Sequence, residues 1–337
     1  MIANVALIGY GLAGRVFHAP MIAAVEGLRL AAVVSSRREE IAKAWPAVAV
    51  RTAEEVFADP AIDLVVVATP NDSHFELAKR ALAAGKHVVI DKPFARTAAE
   101  ARRLIAASRG RILSVFHNRR WDGDFLTLKR LIGEGALGEV VYFESHFDRF
   151  RPRLKGGWRE RAGTASGTWY DLGSHLLDQV LQLFGAPLGI AADLAARREG
   201  AAATDYFRVL LRYEKLRVVL TGNALAAADA LRFRLHGTRA GFLKYGLDTQ
   251  EAFLASGGKP QDAAFGRDPR PGHLVLPGGA EKAVESLCGD YRAYYRGIRD
   301  TLCGTAPLPV SAEEALAVMK YLEAGEESAA KRCEISR

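Results

Sequence analysis

The sequence predicts a two-domain α/β protein, with an N-terminal doubly wound parallel sheet followed by an α/β domain that contains a large, mostly antiparallel sheet. Strand-like and helix-like segments alternate over the first 120 residues, which is typical of a sheet with helices on both faces. A glycine-rich turn follows the first of these strands. After residue 120 the alternation gives way to several strand-like segments in series. We therefore predict domains at residues 1–120 and 121–337.

Runs of Val, Ile, Leu and Ala mark the predicted strands of the first domain. We predict strands at residues 2–8, 28–34, 63–68, 87–91 and 112–116, and helices at residues 38–44, 75–84 and 98–107. The strand runs lack polar alternation, which is what a parallel sheet covered on both faces requires. The first domain is therefore expected to have a doubly wound sheet.

The second domain shows a different pattern. We predict helices at residues 122–132, 169–184, 284–302 and 312–328, a strand at 140–147, several strands between residues 190 and 245, and a long loop at 255–280. Ser311, with Glu314 three residues later, predicts a capping box at the start of the last helix. Charged and apolar side chains alternate within residues 207–212, FRVLLR. This period of two is typical of an antiparallel sheet covered on one face only. Solvent or a second subunit would then lie against the open face.

Composition narrows the class of protein. The chain has 337 residues, 49% of them hydrophobic and 25% charged, as expected of a globular protein with a full core. No apolar run approaches the roughly 20 residues that span a membrane, and the N-terminus has no signal-peptide pattern. The net charge of +7 comes without a nucleic-acid-binding motif. Three scattered cysteines are too few for a disulfide framework or a zinc site. We expect a cytoplasmic protein that binds neither nucleic acid nor membrane.

The glycine-rich turn is the strongest functional motif in the chain. It has the pattern GxGxxG, follows an apolar strand and opens a predicted helix, and it consists of Gly9, Tyr10, Gly11, Leu12, Ala13 and Gly14. Glycines at these positions allow a tight turn, close approach of a pyrophosphate and close helix–strand packing. The helix N-terminus then offers backbone N–H groups to the phosphates. We therefore predict a Rossmann domain that binds a dinucleotide through these six residues.

The end of the second strand predicts which dinucleotide is bound. Ser36, Arg37 and Arg38 stand where an NAD-selective enzyme usually has an acidic residue for the ribose 2′-hydroxyl. Hydroxyl and guanidinium groups suit a 2′-phosphate, because arginine donates bidentate, charge-assisted hydrogen bonds. We predict that NADP(H) is favoured over NAD(H). The alternative is that Ser36 caps a helix that begins with solvated arginines.

Two further strands end in polar residues. Because ligands of doubly wound sheets bind at the carboxyl ends of the strands, the loop after residue 68 is expected to contact the cofactor, and it contains Thr69, Pro70, Asn71 and His74. Ser73 in the same loop is an alternative helix N-cap. Asp91 and Lys92 follow the next strand and are expected to contact the cofactor as well.

The proline after Lys92 restricts that residue to an extended conformation. A lysine at a strand end can orient a hydroxyl or stabilise a developing alkoxide. We therefore predict that Lys92 lies at the ligand crevice. A surface lysine is the alternative for an isolated Asp-Lys-Pro tripeptide.

Asp171 and His175 form a second candidate constellation. Spaced four residues apart on a predicted helix, they lie on one face. A histidine suits proton transfer near neutral pH, and a neighbouring carboxylate can orient it. The alternative is structural, with Asp171 capping the helix and His175 simply buried. We predict no metal, because these residues lack an evident fourth ligand.

Two basic segments complete the candidate site. Arg120 lies in residues 117–121, which follow the predicted strand at 112–116 and are expected to line the same crevice, and we expect Arg120 to contact the cofactor. Residues 149–161 combine basic and aromatic side chains, including Trp158. This segment is a candidate for binding an anion or closing over a substrate. A solvated loop or a subunit contact is the alternative.

In this order and spacing, GYGLAG, DKP and DLGSH resemble the motifs of the glucose–fructose oxidoreductase / inositol dehydrogenase / rhizopine-catabolism (Gfo/Idh/MocA) family. Longer stretches such as GYGLAGRVFHAP and TWYDLGSHLLDQ look most like bacterial NADP-dependent scyllo-inositol dehydrogenases. The resemblance covers essentially the whole chain. One position departs from it, because Asp91 replaces the glutamate that is usual in the family.

The resemblance implies roles for the candidate residues. Lys92 and His175 would act on the reacting hydroxyl with Asp171 as their partner. We expect these three residues, together with Trp158 of the basic segment, to bind the substrate. The reaction would interconvert a ring hydroxyl of a cyclic polyol or sugar with its ketone or lactone. The open sheet would support a homodimer or homotetramer. The alternatives are a reductase for another sugar, aldose or diol, and a nonenzymatic NADP(H)-binding regulator.

Overall fold

The structure is a computed structural model that describes residues 2–157, 160–228 and 231–336. Residue contacts divide the chain into two units. The first comprises Met1–Asn118, Gln250–Phe265 and Asp290–Ala317, and the second comprises Arg119–Thr249, Gly266–Gly289 and Val318–Arg337. The first unit thus includes two segments from late in the chain. The domain boundary at residue 120 stays a prediction.

The helices alternate with strands in the N-terminal part of the chain and are spaced more widely after it. They are α1 (Ala19–Ala24), α2 (Arg38–Ala44), α3 (Ala53–Ala58), α4 (His74–Ala83), α5 (Ala98–Ser108), α6 (Gly123–Gly133), α7 (Ser174–Phe184), α8 (Gln250–Ala255), α9 (Arg292–Leu302) and α10 (Ala312–Lys331). Two π-helical turns, Gly14–His18 and Trp169–Gly173, lead directly into α1 and α7. Among the described residues, 3-10 turns lie at Asn71–Ser73 and Asn118–Trp121.

The sheet of the first unit is parallel throughout. Its strands are β1 (Ala3–Ile8), β2 (Leu28–Val34), β3 (Ala49–Val50), β4 (Leu64–Val67), β5 (His87–Ile90) and β6 (Leu113–Val115). They lie in the order β3-β2-β1-β4-β5-β6, with every neighbouring pair parallel. The strand order reverses between β1 and β4, which is where such sheets bind ligands. The predicted doubly wound Rossmann sheet is confirmed.

The sheet of the second unit is mostly antiparallel, as predicted. Its strands are β7 (Val140–His146), β8 (Gly189–Ala195), β9 (Tyr206–Arg212), β10 (Arg217–Asn223), β11 (Leu231–Gly237), β12 (Gly241–Tyr245), β13 (Gly272–Val275), β14 (Glu281–Val284) and β15 (Ile335–Ser336). They lie in the order β14-β13-β12-β11-β7-β10-β9-β8-β15. β7 and β10 run parallel, and the other neighbouring pairs are antiparallel.

The two faces of this sheet differ in burial. One row across the buried face consists of Leu211, Val218, Phe143, Leu235 and Phe242, which the strand register aligns and which are all at most 1% exposed. The row on the opposite face includes Leu210, which is 39% exposed. The predicted alternation therefore holds, and one face of the sheet is covered by the core.

Two predictions for the second half of the chain are wrong. The predicted loop at 255–280 contains β13, which pairs with β12 and β14. Neighbouring strands supply the hydrogen bonds that so short a segment cannot supply itself. The predicted helix at 284–302 begins only at Arg292. Just before it, the Asp290 carboxylate accepts the Arg292 N–H, and local side-chain bonds of this kind favour a turn over a helix.

The start of α10 agrees with its predicted capping box. Ser311 Oγ accepts the Glu314 N–H at 3.1 Å, and the Glu314 carboxylate accepts the Ser311 N–H at 2.8 Å. These reciprocal bonds satisfy two N–H groups that have no partner within the helix. Across the described chain, no helix combines the length and the apolar character needed to cross a membrane.

Candidate active site

The glycine-rich turn has the shape that a dinucleotide needs. Gly9 has φ +103°, and a Cβ there would stand 2.6 Å from the Ala68 carbonyl oxygen. A Cβ on Gly14 would clash with the Gly9 carbonyl, so both positions require glycine. Gly11 has no neighbouring atom within 4 Å of its Cβ position among the described residues. The turn therefore packs tightly against β4 and leaves open space where a pyrophosphate would approach.

Tyr10 is part of this turn but faces inward. Its side chain is buried, and its hydroxyl accepts a hydrogen bond from the Trp45 indole N–H at 2.9 Å. Trp45 caps the C-terminus of α2. The tyrosine thus connects the glycine turn to the helix that follows the predicted ribose site. Direct contact of Tyr10 with a cofactor stays a prediction.

The residues predicted to bind a 2′-phosphate are exposed at the end of β2. Ser36, Arg37 and Arg38 are all exposed. The Arg37 guanidinium pairs with Glu40 at 3.0 Å, and the backbone N–H of Arg37 donates to Ser35 Oγ. Arg37 occupies the N-cap position of α2, without a side-chain capping bond. The alternative interpretation of Ser36 as the N-cap is therefore wrong.

The loop after β4 is held by His74. Nδ1 lies 2.9 Å from the Pro93 carbonyl oxygen and Nε2 lies 2.9 Å from the Thr69 carbonyl oxygen. The ring thus ties the β4 loop to the β5 loop. Burial lowers the pKa of His74, against the opposing charge of Asp91. Both ring nitrogens of His74 thus face backbone carbonyls. Contact between His74 and the cofactor stays a prediction.

Ser73 has a similar structural role. It occupies the N-cap position of α4, but its hydroxyl makes no capping bond. The hydroxyl lies 2.7 Å from Thr69 Oγ1 and donates to the Pro70 carbonyl at 2.8 Å. These contacts fold the loop back on itself. Thr69, Pro70 and Asn71 lie at the carboxyl end of β4, as predicted.

Asp91 and Lys92 lie at the carboxyl end of β5. Asp91 Oδ1 accepts the Lys92 N–H at 2.9 Å, and the Asp91 side chain is buried. Burial acts to raise the pKa of this carboxyl, but His18, Lys92 and His74 outweigh it, so the net pKa is lowered. Asp91 is therefore an ionised group that holds the backbone of Lys92.

Sequence reasoning missed His18, which lies on the far side of Asp91. Its Nε2 stands 3.7 Å from Asp91 Oδ1, and its Nδ1 stands 2.6 Å from the Tyr295 hydroxyl. The ring packs against Phe116 at a centroid distance of 4.4 Å. Nothing in the local sequence predicts these contacts, because Tyr295 and Asp91 are far from His18 in the chain.

In the second unit, Asp171 lies in the π-helical turn and His175 in the first turn of α7. The predicted continuous α-helix therefore begins with a π turn, a feature that is frequent at functional sites. A Cβ on Gly173 would clash with the Trp169 ring. The ring is buried, and its N–H donates to the Leu322 carbonyl at 3.0 Å. Trp169 thus fixes the turn that carries Asp171.

Arg120 is joined to the same helix. Its guanidinium donates two hydrogen bonds to the Asp178 carboxylate, at 2.9 and 2.7 Å, and both side chains are buried. Asp178 lies one turn after His175 on α7. The pair therefore neutralises a buried charge beside the candidate base. Cofactor binding by Arg120 stays a prediction.

The basic segment at residues 149–161 is fastened by Arg198, which sequence reasoning also missed. The Arg198 guanidinium donates to the carbonyls of Arg151 and Arg153 and pairs with Glu160 at 3.0 Å. It also pairs with the buried Asp205 at 2.9 Å. Trp158, a predicted substrate contact, lies outside the described residues. No group of three metal-ligating side chains is arranged for a metal in the described part of the chain.

Each unit thus contains one cluster of predicted site residues. The first unit brings the glycine turn, the Thr69 loop and Lys92 to the carboxyl ends of adjacent strands. The second unit holds Asp171 and His175 at the start of α7. Two models of one oxidoreductase family match this chain, an NAD-binding Rossmann fold over residues 3–117 and a C-terminal α/β domain over residues 129–336.

The chain belongs to the Gfo/Idh/MocA oxidoreductase family.

Relatives in this family match over nearly their full length. The chain is 52% identical to the uncharacterized oxidoreductase YdgJ of Escherichia coli K12, covering 98% of this chain and 97% of YdgJ. It is 43% identical to scyllo-inositol 2-dehydrogenase (NADP(+)) IolW of Bacillus subtilis, covering 98% and 94%. A solved structure of the Yersinia pestis oxidoreductase YPO2259 has a TM-score of 0.96 and 48% identity, covering 100% and 97% of the two chains.

These matches confirm three predictions. The family resemblance is correct, the two-sheet α/β architecture is that of the family, and the chain is an NAD(P)-dependent dehydrogenase. The geometry of the glycine turn fits such a cofactor. Gly9 and Gly14 allow the tight turn, since a Cβ at either would collide with backbone, and among the described residues no atom fills the space beside Gly11.

Proposed function

We propose that this protein is an NADP(H)-dependent oxidoreductase that interconverts a ring hydroxyl of a cyclic polyol or sugar with its ketone or lactone, with scyllo-inositol as the favoured substrate. The observation that carries the proposal is 43% identity, over nearly the whole chain, to an enzyme named scyllo-inositol 2-dehydrogenase (NADP(+)). Support comes from Lys92, Asp171 and His175, which match the family motifs in residue type and order.

In this proposal His175, Asp171 and Lys92 each have a separate role in the reaction. The glycine turn would hold the dinucleotide, which when bound would supply hydride transfer at the carbon that carries the hydroxyl. In the oxidative direction His175 accepts the hydroxyl proton, and Asp171 orients His175 and stabilises its charged form. Lys92 stabilises the negative charge that develops on the oxygen and helps to orient the substrate. The reductive direction reverses each proton transfer.

The preference for NADP(H) is proposed from the end of β2. The exposed side chains there are Ser36, Arg37 and Arg38, with no acidic residue at the ribose position. Arg37 is paired with Glu40 in a contact where both side chains are about half exposed. Exposed pairs of this kind contribute little stability. A 2′-phosphate can therefore compete with Glu40 for this guanidinium.

The test follows the absorbance of the reduced nicotinamide. The purified protein is mixed with NADP⁺ or NAD⁺ and, in separate reactions, with scyllo-inositol, myo-inositol and D-glucose. We expect turnover with NADP⁺ and scyllo-inositol, and slower turnover with NAD⁺. Turnover only with D-glucose, or only with an aldose or diol from a wider panel, would favour another reductase of the family and contradict the inositol assignment.

A nonenzymatic regulator makes a different prediction in the same assay. It binds NADPH, measured by fluorescence of the reduced nicotinamide, but turns over none of the polyols, sugars, aldoses or diols. That result would overturn the enzymatic proposal. We expect instead that binding and turnover occur together, because a regulator has no need of Lys92, Asp171 and His175 as a set.

A further inference from the structure

His18 is completely buried, and its two ring nitrogens face two ionisable side chains. The ring is 0% exposed. Nδ1 lies 2.6 Å from the Tyr295 hydroxyl, and Nε2 lies 3.7 Å from Asp91 Oδ1. Among the described residues Nε2 has no hydrogen-bond partner. A buried histidine nitrogen with only a carboxylate nearby needs an explanation, because buried polar groups are nearly always satisfied.

Tyr295 determines which nitrogen carries the proton. Its side chain is fully buried in α9, so its hydroxyl hydrogen needs an acceptor. Burial, with Tyr294 and Asp91 nearby, raises the pKa of Tyr295 well above its usual value, which keeps the phenol protonated. A phenol that donates to Nδ1 leaves the ring proton on Nε2. That N–H then points toward the Asp91 carboxylate.

The position of Tyr295 is itself fixed by packing. The Tyr294 and Tyr295 rings meet edge to face at 5.3 Å. The Tyr294 hydroxyl lies 2.8 Å from Ser114 Oγ at β6, and Ser114 donates to the Val310 carbonyl at 2.7 Å. The Tyr295 ring thus packs against a side chain that is itself hydrogen-bonded to β6, which limits the movement of the ring that contacts His18.

Asp91 transmits this arrangement to Lys92. The same Oδ1 that faces His18 also accepts the Lys92 N–H at 2.9 Å. An aspartate side chain is short enough to accept the N–H of the next residue. At 3.7 Å the attraction between the His18 N–H and the carboxylate is electrostatic rather than a full hydrogen bond. In a buried site it still favours one orientation of the carboxylate.

We propose that His18 is a positioning residue, held by Tyr295, that orients the Asp91 carboxylate and through it the backbone of the reacting Lys92. The catalytic part of this inference rests on the proposed function, because it takes Lys92 as the group that acts on the hydroxyl. The structural part stands on the contacts among His18, Tyr295 and Asp91. The two parts are therefore tested separately.

The structural part is tested by nitrogen-15 NMR of the full-length protein without cofactor. The ring shifts report which nitrogen carries the proton. In the wild type we expect the proton on Nε2 of His18. Tyr295→Phe should change the chemical shift of Nδ1, and Asp91→Asn should change the chemical shift of Nε2. A proton on Nδ1 in the wild type, or His18 shifts that are the same in Asp91→Asn, would overturn the proposal whatever the substrate is.

The catalytic part is tested by two substitutions that separate the nitrogens. Glutamine at position 18 retains a donor near the Nε2 position, and asparagine retains a polar group only near the Nδ1 position. We expect His18→Asn to lower kcat by about 10- to 100-fold, as small misplacements of reacting groups do. His18→Gln should recover most of the loss. Affinity for NADPH, measured by fluorescence titration, should stay within about twofold in both, since neither removes a cofactor contact.

These readouts also separate positioning from a purely structural role. If both substitutions lower kcat equally, and the loss follows the fall in the urea unfolding midpoint, His18 only stabilises the fold and the proposal is wrong. If wild-type protein turns over no substrate at all, the proposed function fails. The NMR comparison of wild type with Asp91→Asn then still decides whether His18 orients Asp91.

Discussion

At the scale of single residues, the two groups assigned to the reacting hydroxyl are held by different means. Lys92 is fixed through its backbone, because its N–H donates to the ionised Asp91 carboxylate. His175 is fixed by its helix, since it lies in the first turn of α7, just after the π turn that Trp169 anchors. Neither side chain belongs to the glycine turn, which is predicted to hold the pyrophosphate. Removal of either side chain should therefore affect chemistry more than cofactor binding.

We expect Lys92→Ala and His175→Ala each to lower kcat by about 10²- to 10⁴-fold, the usual contribution of a positioned acid–base or charge-stabilising group. Steady-state assays with the preferred polyol provide the measurement, and NADPH fluorescence titration checks that cofactor affinity is retained. Lys129→Ala, which removes an exposed lysine from α6, is the matched control and should leave kcat unchanged. Near-wild-type turnover in both active-site variants would contradict their assigned roles.

A second residue-scale prediction concerns the choice of cofactor. Ser36→Asp combined with Arg37→Ala introduces a carboxylate that suits a ribose 2′-hydroxyl and removes a donor to a 2′-phosphate. We expect the ratio of kcat/KM for NADP⁺ over NAD⁺ to fall by about 10- to 100-fold, which corresponds to one charge-assisted hydrogen bond. Arg102→Ala, at an exposed arginine of α5, controls for the loss of positive charge. An unchanged ratio would show that the end of β2 does not select the cofactor.

At the scale of elements, the π turn before α7 requires a glycine, which has no side chain, at position 173. Gly173 lies against the Trp169 ring, and a Cβ there would overlap it. Trp169 in turn packs edge to face on Phe207 at 5.1 Å, and Gly325 lies against its other edge, where a Cβ would stand 2.7 Å from the ring. The ring has no room to move away, so the turn and the position of Asp171 depend on glycine at 173.

We therefore expect Gly173→Ala to lower the free energy of unfolding by about 1–3 kcal/mol through overpacking, measured by urea denaturation. It should also lower kcat, since Asp171 and His175 flank the substituted position. Gly133→Ala is the matched control, because it lies in α6 with no atom near its Cβ position among the described residues. That control should be neutral or slightly stabilising, as a Gly-to-Ala change in a helix usually is. Equal effects of the two changes would argue against the packing explanation.

At the scale of the whole molecule, the nine-stranded sheet has one face covered by the core and an opposite face that is partly exposed. The row on the opposite face that contains Leu210 continues through Val219, Glu144 and Arg234 to Leu243 in register, and Val219 and Glu144 are buried within it. Leu210 is 39% exposed and Arg208 beside it is exposed. Mixed apolar and charged surfaces of this kind suit an interface with a polar rim. We propose that this face joins two copies of the chain in a homodimer or homotetramer.

Leu210→Asp tests that proposal, because a charge at the centre of an interface is costly to bury. We expect the variant to sediment as a smaller species than wild type, with its far-UV circular dichroism unchanged. Ile2→Asp alters another exposed apolar residue, 67% exposed at the N-terminus, and should leave the assembly intact. If Leu210→Asp sediments like wild type, or if wild type is itself a monomer, the proposal is wrong.

The sequence by itself determined the elements whose signals are local. The bounds predicted for β2 and α2 are those of the structure, because an apolar run and a helical pattern depend on neighbouring residues. The glycine turn at residues 9–14 could likewise be predicted, since each of its glycines is required by the local geometry of the turn. A local signal was also overlooked, because Thr52 and Glu55 form the capping box of α3 and match the pattern that correctly predicted the start of α10.

Only the tertiary structure decided the features that join distant parts of the chain. β13 is a strand because β12 and β14 supply its hydrogen bonds, and no local pattern reports that pairing. Tyr295 reaches His18 across 277 positions of sequence, and Arg198 reaches Arg151 across 47. A one-dimensional pattern records the period of a helix or strand, which is set by adjacent residues. It carries no record of which side chains meet when those elements pack.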